Sequence, residues 1–299
     1  MKAYVQLGTK IYNNNRFSDY RRMVPFIIRS LTNHKKMQEL IGFFQLNSLR
    51  CDIINAYPSV FEQVTRCIFY RNSTFTERMI LIQEHFLFFE AKFTQEALQI
   101  MYLREGIRLW NRDYQGENLS LDMHFCENHK KEGLMGIALQ LGEKMIYQII
   151  FWVAPNKSGE MAIHIGTLQG SPGGLDIARD LTRFFLGYRP KNLILQALRV
   201  LAEQMGIHRI YAVSNYGFYA NNHIRLDRKL KTSLDEFWQE TSGKDCGDPR
   251  FFELPVVESR KSLDEVQSKK RNLYRKRFAA IDEIDVEIKQ SLELYMKKI

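Results

Sequence analysis

The residues of this chain best suited to chemistry stand at the ends of two strand-like runs and at the start of the helix between them. Residues 163–168 are an apolar, strand-like run that leads to Gln169 and Gly170, followed by the turn Ser171-Pro172-Gly173-Gly174. Arg189-Pro190-Lys191 then opens a helix, with proline in the first turn where its missing N–H is harmless. Free backbone N–H groups and the helix dipole at such a start attract phosphate, and Arg189 and Lys191 could add charge-assisted bonds to it. Asn215 and Tyr219 follow the next short strand, 210–213, where a positioned tyrosine could protonate a leaving group. Glu240 and Glu253 are the candidates for the base. Each residue also has an ordinary explanation: a helix start for Arg189 and Lys191, a strand-ending turn for Asn215.

The elements that must position them change character along the chain. Residues 1–115 read as mostly helical, with Met23, Phe26 and Ile27 at helical spacing among the arginines of 19–31. The aromatic-rich span 75–102 reads as two helices meeting near Lys92-Phe93, with Thr76 and Thr94 as N-caps and the aromatics forming a packed core. From 116 the period becomes two: runs at 118–125, 133–141, 145–153 and 161–168 are separated by hairpin-length turns, an antiparallel meander. Helices at 176–187 and from 190 to Gly206 follow, then the strand 210–213 and an aromatic loop running from Asn215 to a short helix near Leu234 to Trp238. Phe251 to Leu254 reads as a final edge strand ended by Pro255. Residues 262–299 form a charged helical tail, capped by Ser262 with Glu265 and carrying an apolar stripe of Leu273, Ile281, Ile284, Ile288 and Leu292.

Among 299 residues, 45% hydrophobic and 26% charged content describes a globular chain able to bury a sizeable core. A formal charge of +9 favours anionic partners: nucleic acid, anionic phospholipid or a phosphorylated small molecule. The N-terminus lacks the apolar core of a signal peptide and no apolar run reaches membrane-spanning length, so the expected location is cytoplasmic. Four widely spaced cysteines read as free thiols. His124-x-Cys126-x-x-His129 is the one tight group of metal-capable side chains, and without a fourth ligand nearby no metal is expected. Neither GxSxG, Walker A, GxGxxG nor HExxH occurs, which counts against several hydrolase, nucleotide-binding and metalloprotease classes.

Several stretches together resemble the VirK/YbjX family of Gram-negative bacteria. They are Arg78 with His85, Gly116-Glu117-x-Leu119-Ser120-Leu121, Ile165 to Gly170, Leu181-Thr182, Gly187-x-Arg189-Pro190-Lys191, Val213-Ser214-Asn215 and Phe237-Trp238-x-Glu240. Lys269-Lys270-Arg271-x-x-Tyr274-Arg275-Lys276-Arg277 completes the set, which spans most of residues 78–278. Where the family pattern usually has two glycines after the Trp-Glu segment, Thr241-Ser242-Gly243 stands here. The resemblance implies a cytoplasmic accessory protein of envelope adaptation and virulence, including resistance to cationic antimicrobial peptides. It implies no catalytic residues.

The order of strands and helices is also similar to the GNAT-type acyltransferase core, in which a helix start holds the pyrophosphate of coenzyme A. That likeness implies acyl-CoA as donor, with Gln169, Gly170, Arg189, Lys191 and Asn215 as its contacts and Tyr219 and Glu240 as catalytic acid and base. The sequence departs from that core by lacking a glycine-rich phosphate loop before Leu193 and by placing an extra helix, 176–187, ahead of it. A non-catalytic reading assigns nucleic acid or anionic membrane to Lys269, Lys270, Arg271, Tyr274, Arg275, Lys276 and Arg277. A third makes the chain a scaffold for an envelope-biogenesis protein through its aromatic helices and the Phe218-Tyr219 loop. The expected fold is α+β: a helical region over 1–115, a GNAT-like antiparallel sheet with helices over 116–260, and a docked basic helical tail over 261–299.

Overall fold

A computed structural model describes residues 1–12, 16–222 and 233–298. Seven helices come first: α1 (Lys2–Tyr12), α2 (Phe17–Thr32), α3 (His34–Gln45), α4 (Ser48–Ala56), α5 (Val60–Thr65), α6 (Phe75–Lys92) and α7 (Gln95–Leu103). α6 begins at Thr74 rather than Thr76. Thr74 accepts from the Glu77 N–H at 3.2 Å while the Glu77 carboxylate accepts from the Thr74 N–H at 2.7 Å, a reciprocal box that Thr76 cannot make. Thr94 caps α7 as expected. The aromatics of this region are core: Phe86, Phe89, Phe93 and Tyr102 are buried and in ring contact.

Eight strands form one sheet: β1 (Ile107–Tyr114), β2 (Glu117–Phe125), β3 (Met135–Leu141), β4 (Lys144–Pro155), β5 (Met161–Gly170), β6 (Ile210–Val213), β7 (Lys244–Asp245) and β8 (Phe251–Leu254). Their spatial order is β1-β2-β3-β4-β5-β6-β8-β7. β1 lies in the span expected to be helical. It is an edge strand whose outer half is polar, so its apolar alternation is short. β8 is not the edge: the two-residue β7 covers its outer side.

β2 to β5 are the expected antiparallel meander, and β1 extends it by one strand at the edge. β5 then crosses through α8 (Leu175–Phe184) and α9 (Pro190–Met205) to β6, which runs parallel to it. α9 ends at Gly206, whose left-handed φ of 71° lets the chain leave the helix at once. α6 and α9 both pack on β4, whose unbroken buried run 148–154 needs cover on both faces. α10 (Leu234–Glu240) packs on β8, and α11 (Ser268–Tyr295) lies across α9 and β1.

α11 starts six residues after Ser262, because the Ser262–Glu265 pair closes a separate turn ahead of it. Ile281, Ile284, Ile288 and Leu292 are its buried stripe, whereas Leu273 remains 41% exposed. Among the described residues no helix is long and apolar enough to cross a membrane.

Candidate functional site

β5 and β6 pair over only three residues, Ile163 with Ile210, His164 with Tyr211 and Ile165 with Ala212. Beyond Ile165, β5 continues to Gly170 against β4 alone, while β6 stops at Val213. The loop between β2 and β3 enters the gap this leaves. Gly166 sits under its Glu132 carbonyl so closely that a Cβ would overlap it. Tyr219, in a short 3-10 turn after β6, donates its hydroxyl to the Glu132 carboxylate at 3.1 Å. Burial raises the pKa of Glu132, and the Tyr219 bond and Lys131 only partly offset that. A carboxylate shifted toward neutrality beside a tyrosine hydroxyl is an arrangement able to move a proton.

The same loop carries His129, whose two ring nitrogens meet Gln148 at 2.8 Å and Gln169 at 3.1 Å. Burial, His124 and Lys131 lower its pKa, which favours the neutral ring, and its tautomer sets which of the two nitrogens accepts an amide N–H. Gln169 is thus held by the loop, and Gly170 closes β5 opposite Tyr147. Cys126 and His124 lie 3.8 Å apart, and burial pushes the Cys126 thiol up to about 12, leaving it an inert thiol at neutral pH.

At the start of α9 the structure brings Arg189, Lys191 and Glu240 together. Glu240 accepts from Arg189 at 2.8 Å and from Lys191 at 3.3 Å. The Arg189 bond, more than any other influence, holds the Glu240 carboxyl below its ordinary range. Glu240 and Tyr219 therefore have different partners. Asn215 joins β6 to α10: its side chain accepts from the Leu234 N–H at 2.8 Å and donates to Ser233 at 3.1 Å. Residues 223–232 of the aromatic loop expected between them lie outside the described residues. Glu253 pairs with Arg209 at 2.6 Å.

The basic patch of α11 divides in two. Arg271 donates to the Val266 carbonyl and Arg277 to the Leu186 carbonyl, and the Arg277 guanidinium lies 4.4 Å from the Tyr274 ring centre. Lys269, Lys270, Arg275 and Lys276 are exposed.

Two cavities escaped the sequence reading. One, of about 340 Å³, lies between α2 and the segment 62–68, with Tyr219 in its wall. Arg21, Arg22, Arg29 and Arg66 line it against a single carboxylate, Glu62, which pairs with Arg66 at 2.8 Å and Lys130 at 3.1 Å. The other, of about 450 Å³, is walled by Tyr70, Trp152, His164, Tyr211 and Phe251. Trp152, His164 and Tyr211 stand ring beside ring across β4, β5 and β6. Asp248 bridges Arg250 and Lys157 at its rim. One aromatic on each of three strands leaves no local pattern; the run of arginines at 21, 22 and 29 was the available signal for the first cavity.

The family-motif residues Arg78 and His85 have structural partners. Arg78 donates to the Val64 and Ser73 carbonyls. His85, held neutral by burial with a pKa of about 3, accepts the Val153 N–H at 3.1 Å. The register of β3 against β4 ends at Phe151, so this N–H lies beyond its reach.

These features define a mixed α+β protein with N-terminal helices, an eight-stranded sheet, a C-terminal helix and a carboxylate–tyrosine pair in the gap of the sheet's parallel strands. The family described as "Protein of unknown function (DUF535)" matches residues 15–290, and the chain belongs to it. It is similar to the uncharacterized protein YbjX of Escherichia coli K12, with 24% identity over 268 residues, 87% of this chain and 80% of that protein. An uncharacterized protein of Haemophilus influenzae is 24% identical over 292 residues, 95% of this chain and 93% of its own length. "Membrane protein LapB" of Mannheimia haemolytica is 22% identical over 218 residues, 70% of this chain and 87% of that protein.

Proposed function

We propose that the protein is a cytoplasmic acyltransferase of envelope adaptation, with the acyl-CoA thioester lying beside the Glu132–Tyr219 pair where β5 and β6 part. The observation that carries the reading is the strand order. A parallel β5–β6 pair is joined through α8 and α9, parts after Ile165, and is followed by β8 lodged between β6 and β7, an order that supports the GNAT-type reading. Arg189 and Lys191 at the start of α9 would take the pyrophosphate, displacing Glu240, which is 47% exposed and free to swing away. In the transfer, an acceptor amine or hydroxyl attacks the thioester carbonyl and the C–S bond breaks. Glu132 takes the acceptor's proton and Tyr219 gives its own to the departing thiolate. Their hydrogen bond then returns a proton from Glu132 to Tyr219. Glu132 thus takes the base role for which Glu240 and Glu253 were the candidates. The family resemblance supports a setting in envelope adaptation and virulence, including resistance to cationic antimicrobial peptides, and the name of the relative, membrane protein LapB, agrees with an envelope setting.

The test is a thermal melt with coenzyme A, acetyl-CoA and long-chain acyl-CoA, with ADP as control. Ligand at about 100 times its Kd adds about 2.7 kcal/mol, a shift of a few degrees for a chain of this size. The shift should vanish in Arg189→Ala and Lys191→Ala, whereas Tyr219→Phe should bind donor normally and fail in turnover. No shift with any acyl donor sinks the reading. The second reading, polyanion binding by α11, keeps its support in the exposed Lys269, Lys270, Arg275 and Lys276. It predicts binding that falls log-linearly with salt and is lost when those four are neutralised.

A further inference from the structure

α2 (Phe17–Thr32) presents two faces that the fold leaves uncovered. Phe17, Tyr20, Val24, Ile28 and Leu31 follow one another at intervals of three and four residues, and all are exposed, Phe17 by 80% and Ile28 by 55%. At that spacing they form one continuous stripe along the helix. A different side, carrying the buried Met23, Phe26 and Ser30, is the one turned into the protein, with α1, α3 and α5 as its neighbours. Single exposed apolar side chains are ordinary on protein surfaces, but five in line on one helix make a patch that calls for a cover.

The second face is basic. At about 100° per residue, Arg21 stands roughly 60° round the helix from the stripe's centre, and Pro25, Arg29 and Arg22 follow at roughly 100–160°. These four line the arginine cavity described above, with Arg66 and Thr65 on its far wall. Arg29 also donates to the Thr65 carbonyl at 3.1 Å, which fixes its stem and leaves the rest of its guanidinium for a ligand. Arg21 and Arg22 make no ion pair among the described residues, and Glu62 is already matched by Arg66 and Lys130. The cavity therefore carries uncompensated positive charge round the helix from the apolar stripe, with Arg21 standing between the two.

Charge complementarity selects the occupant. A second copy of the chain, laid stripe to stripe, would cover the apolar face but leave the arginine cavity, which opens roughly 100–160° round the helix, without a counter-charge. An anionic phospholipid surface offers both halves of the match: an acyl boundary for the stripe and phosphates for the guanidiniums. We propose that α2 lies flat on an anionic phospholipid membrane, its stripe in the acyl boundary, with a lipid headgroup phosphate in the arginine cavity. This surface is separate from the basic patch of α11. Tyr219 forms part of the cavity wall, so the cavity and the site of the proposed transfer share one residue. The membrane inference does not need that chemistry, because it is read without any acyl donor.

The experiment is vesicle flotation of the full chain with phosphatidylcholine alone and with added phosphatidylglycerol. Three variants are compared, each first shown by circular dichroism and melting to be folded: Val24→Glu/Ile28→Glu, Arg21→Gln/Arg22→Gln/Arg29→Gln, and a control with Lys269, Lys270, Arg275 and Lys276 changed to Gln. Binding is expected on the phosphatidylglycerol vesicles, weakened about fivefold per arginine removed. The double glutamate variant should lose about tenfold or more, and the α11 control should keep most of the affinity. Equal binding to neutral and anionic vesicles, or loss only in the α11 control, overturns the proposal. So does a dimer in light scattering that the double glutamate variant dissolves, which would give the stripe to a second copy. Glycerol phosphate bound through the three arginines without any vesicle binding also overturns it, leaving a site for a soluble phosphate.

Discussion

Tyr219→Phe removes one oxygen and tests the heart of the candidate site. The ring and its packing remain, so no cavity opens. What disappears is the hydroxyl that donates to Glu132 at 3.1 Å. A hydrogen bond to a charged acceptor contributes about 1.5–3 kcal/mol, and one to a neutral acceptor about 0.5–1.5 kcal/mol. The cost of the substitution should therefore depend on the charge of Glu132. Burial raises that carboxyl's pKa, and the Tyr219 bond pulls it down. For an acid with a raised pKa the folded state holds the extra proton. The stabilisation is then complete at low pH and is lost as pH rises from the ordinary carboxylate range through the folded pKa. Deleting the tyrosine hydroxyl steepens that loss. Urea unfolding of wild type and variant across acid to neutral pH should show a difference of about 1 kcal/mol at the acid end, growing to about 2–3 kcal/mol where Glu132 is ionised. The m-value should not change. A difference that is flat with pH, or larger in acid, would refute the pairing and with it the proton route proposed for the transfer.

Gly166→Ala should be among the most damaging single substitutions, about 3 kcal/mol or more, because its Cβ would overlap the Glu132 backbone and the loop filling the β5–β6 gap must move; a melt near wild type would contradict the placement of that loop. His85→Leu leaves the buried Val153 N–H without an acceptor and should cost about 1–3 kcal/mol in chemical denaturation. Because burial lowers His85 to about 3 and His164 to about 4, the unfolded chain binds more protons in mild acid. Wild-type stability should then fall as pH drops below the ordinary histidine range near 6.5, and His85→Leu should flatten that slope. Trp238→Phe removes the indole N–H that donates to the Val213 carbonyl at 2.9 Å and leaves a void at a fully buried position. The expected loss is about 2–4 kcal/mol by thermal or urea melt, and a loss under 1 kcal/mol would argue against this anchoring of α10 to β6.

The candidate site illustrates how far side-chain type alone can reach. Arg189, Lys191 and Glu240 do converge, and their chemistry fits an anion at the start of α9. Glu240 earned its place as base only through its position in the chain; once folded, it is the counter-ion of the two cations and its pKa falls. Glu132 had no such standing in the sequence, lying in a charged loop between two strands. Only the gap between β5 and β6 gives it a buried setting and a tyrosine partner.

Read alone, the sequence determined the family, the helical and strand character of most segments, the β1–β5 meander from β2 onward, and the caps at Thr94 and Gly206. All of these rest on signals spanning a few residues: a period of two or of 3.6, a turn, a capping side chain. Tertiary structure alone decided what meets what. Tyr219 reaches Glu132 across 87 positions of chain, and Trp152, His164 and Tyr211 line up only because β4, β5 and β6 fall into register. It also decided that Phe251–Leu254 lies inside the sheet and that Leu273 stands clear of the body. α2 makes the division plainest. Its sequence holds apolar residues on two sides, and a helix cannot state which side its neighbours will cover. Packing chose Met23 and Phe26, and left the stripe from Phe17 to Leu31 facing out beside its arginines.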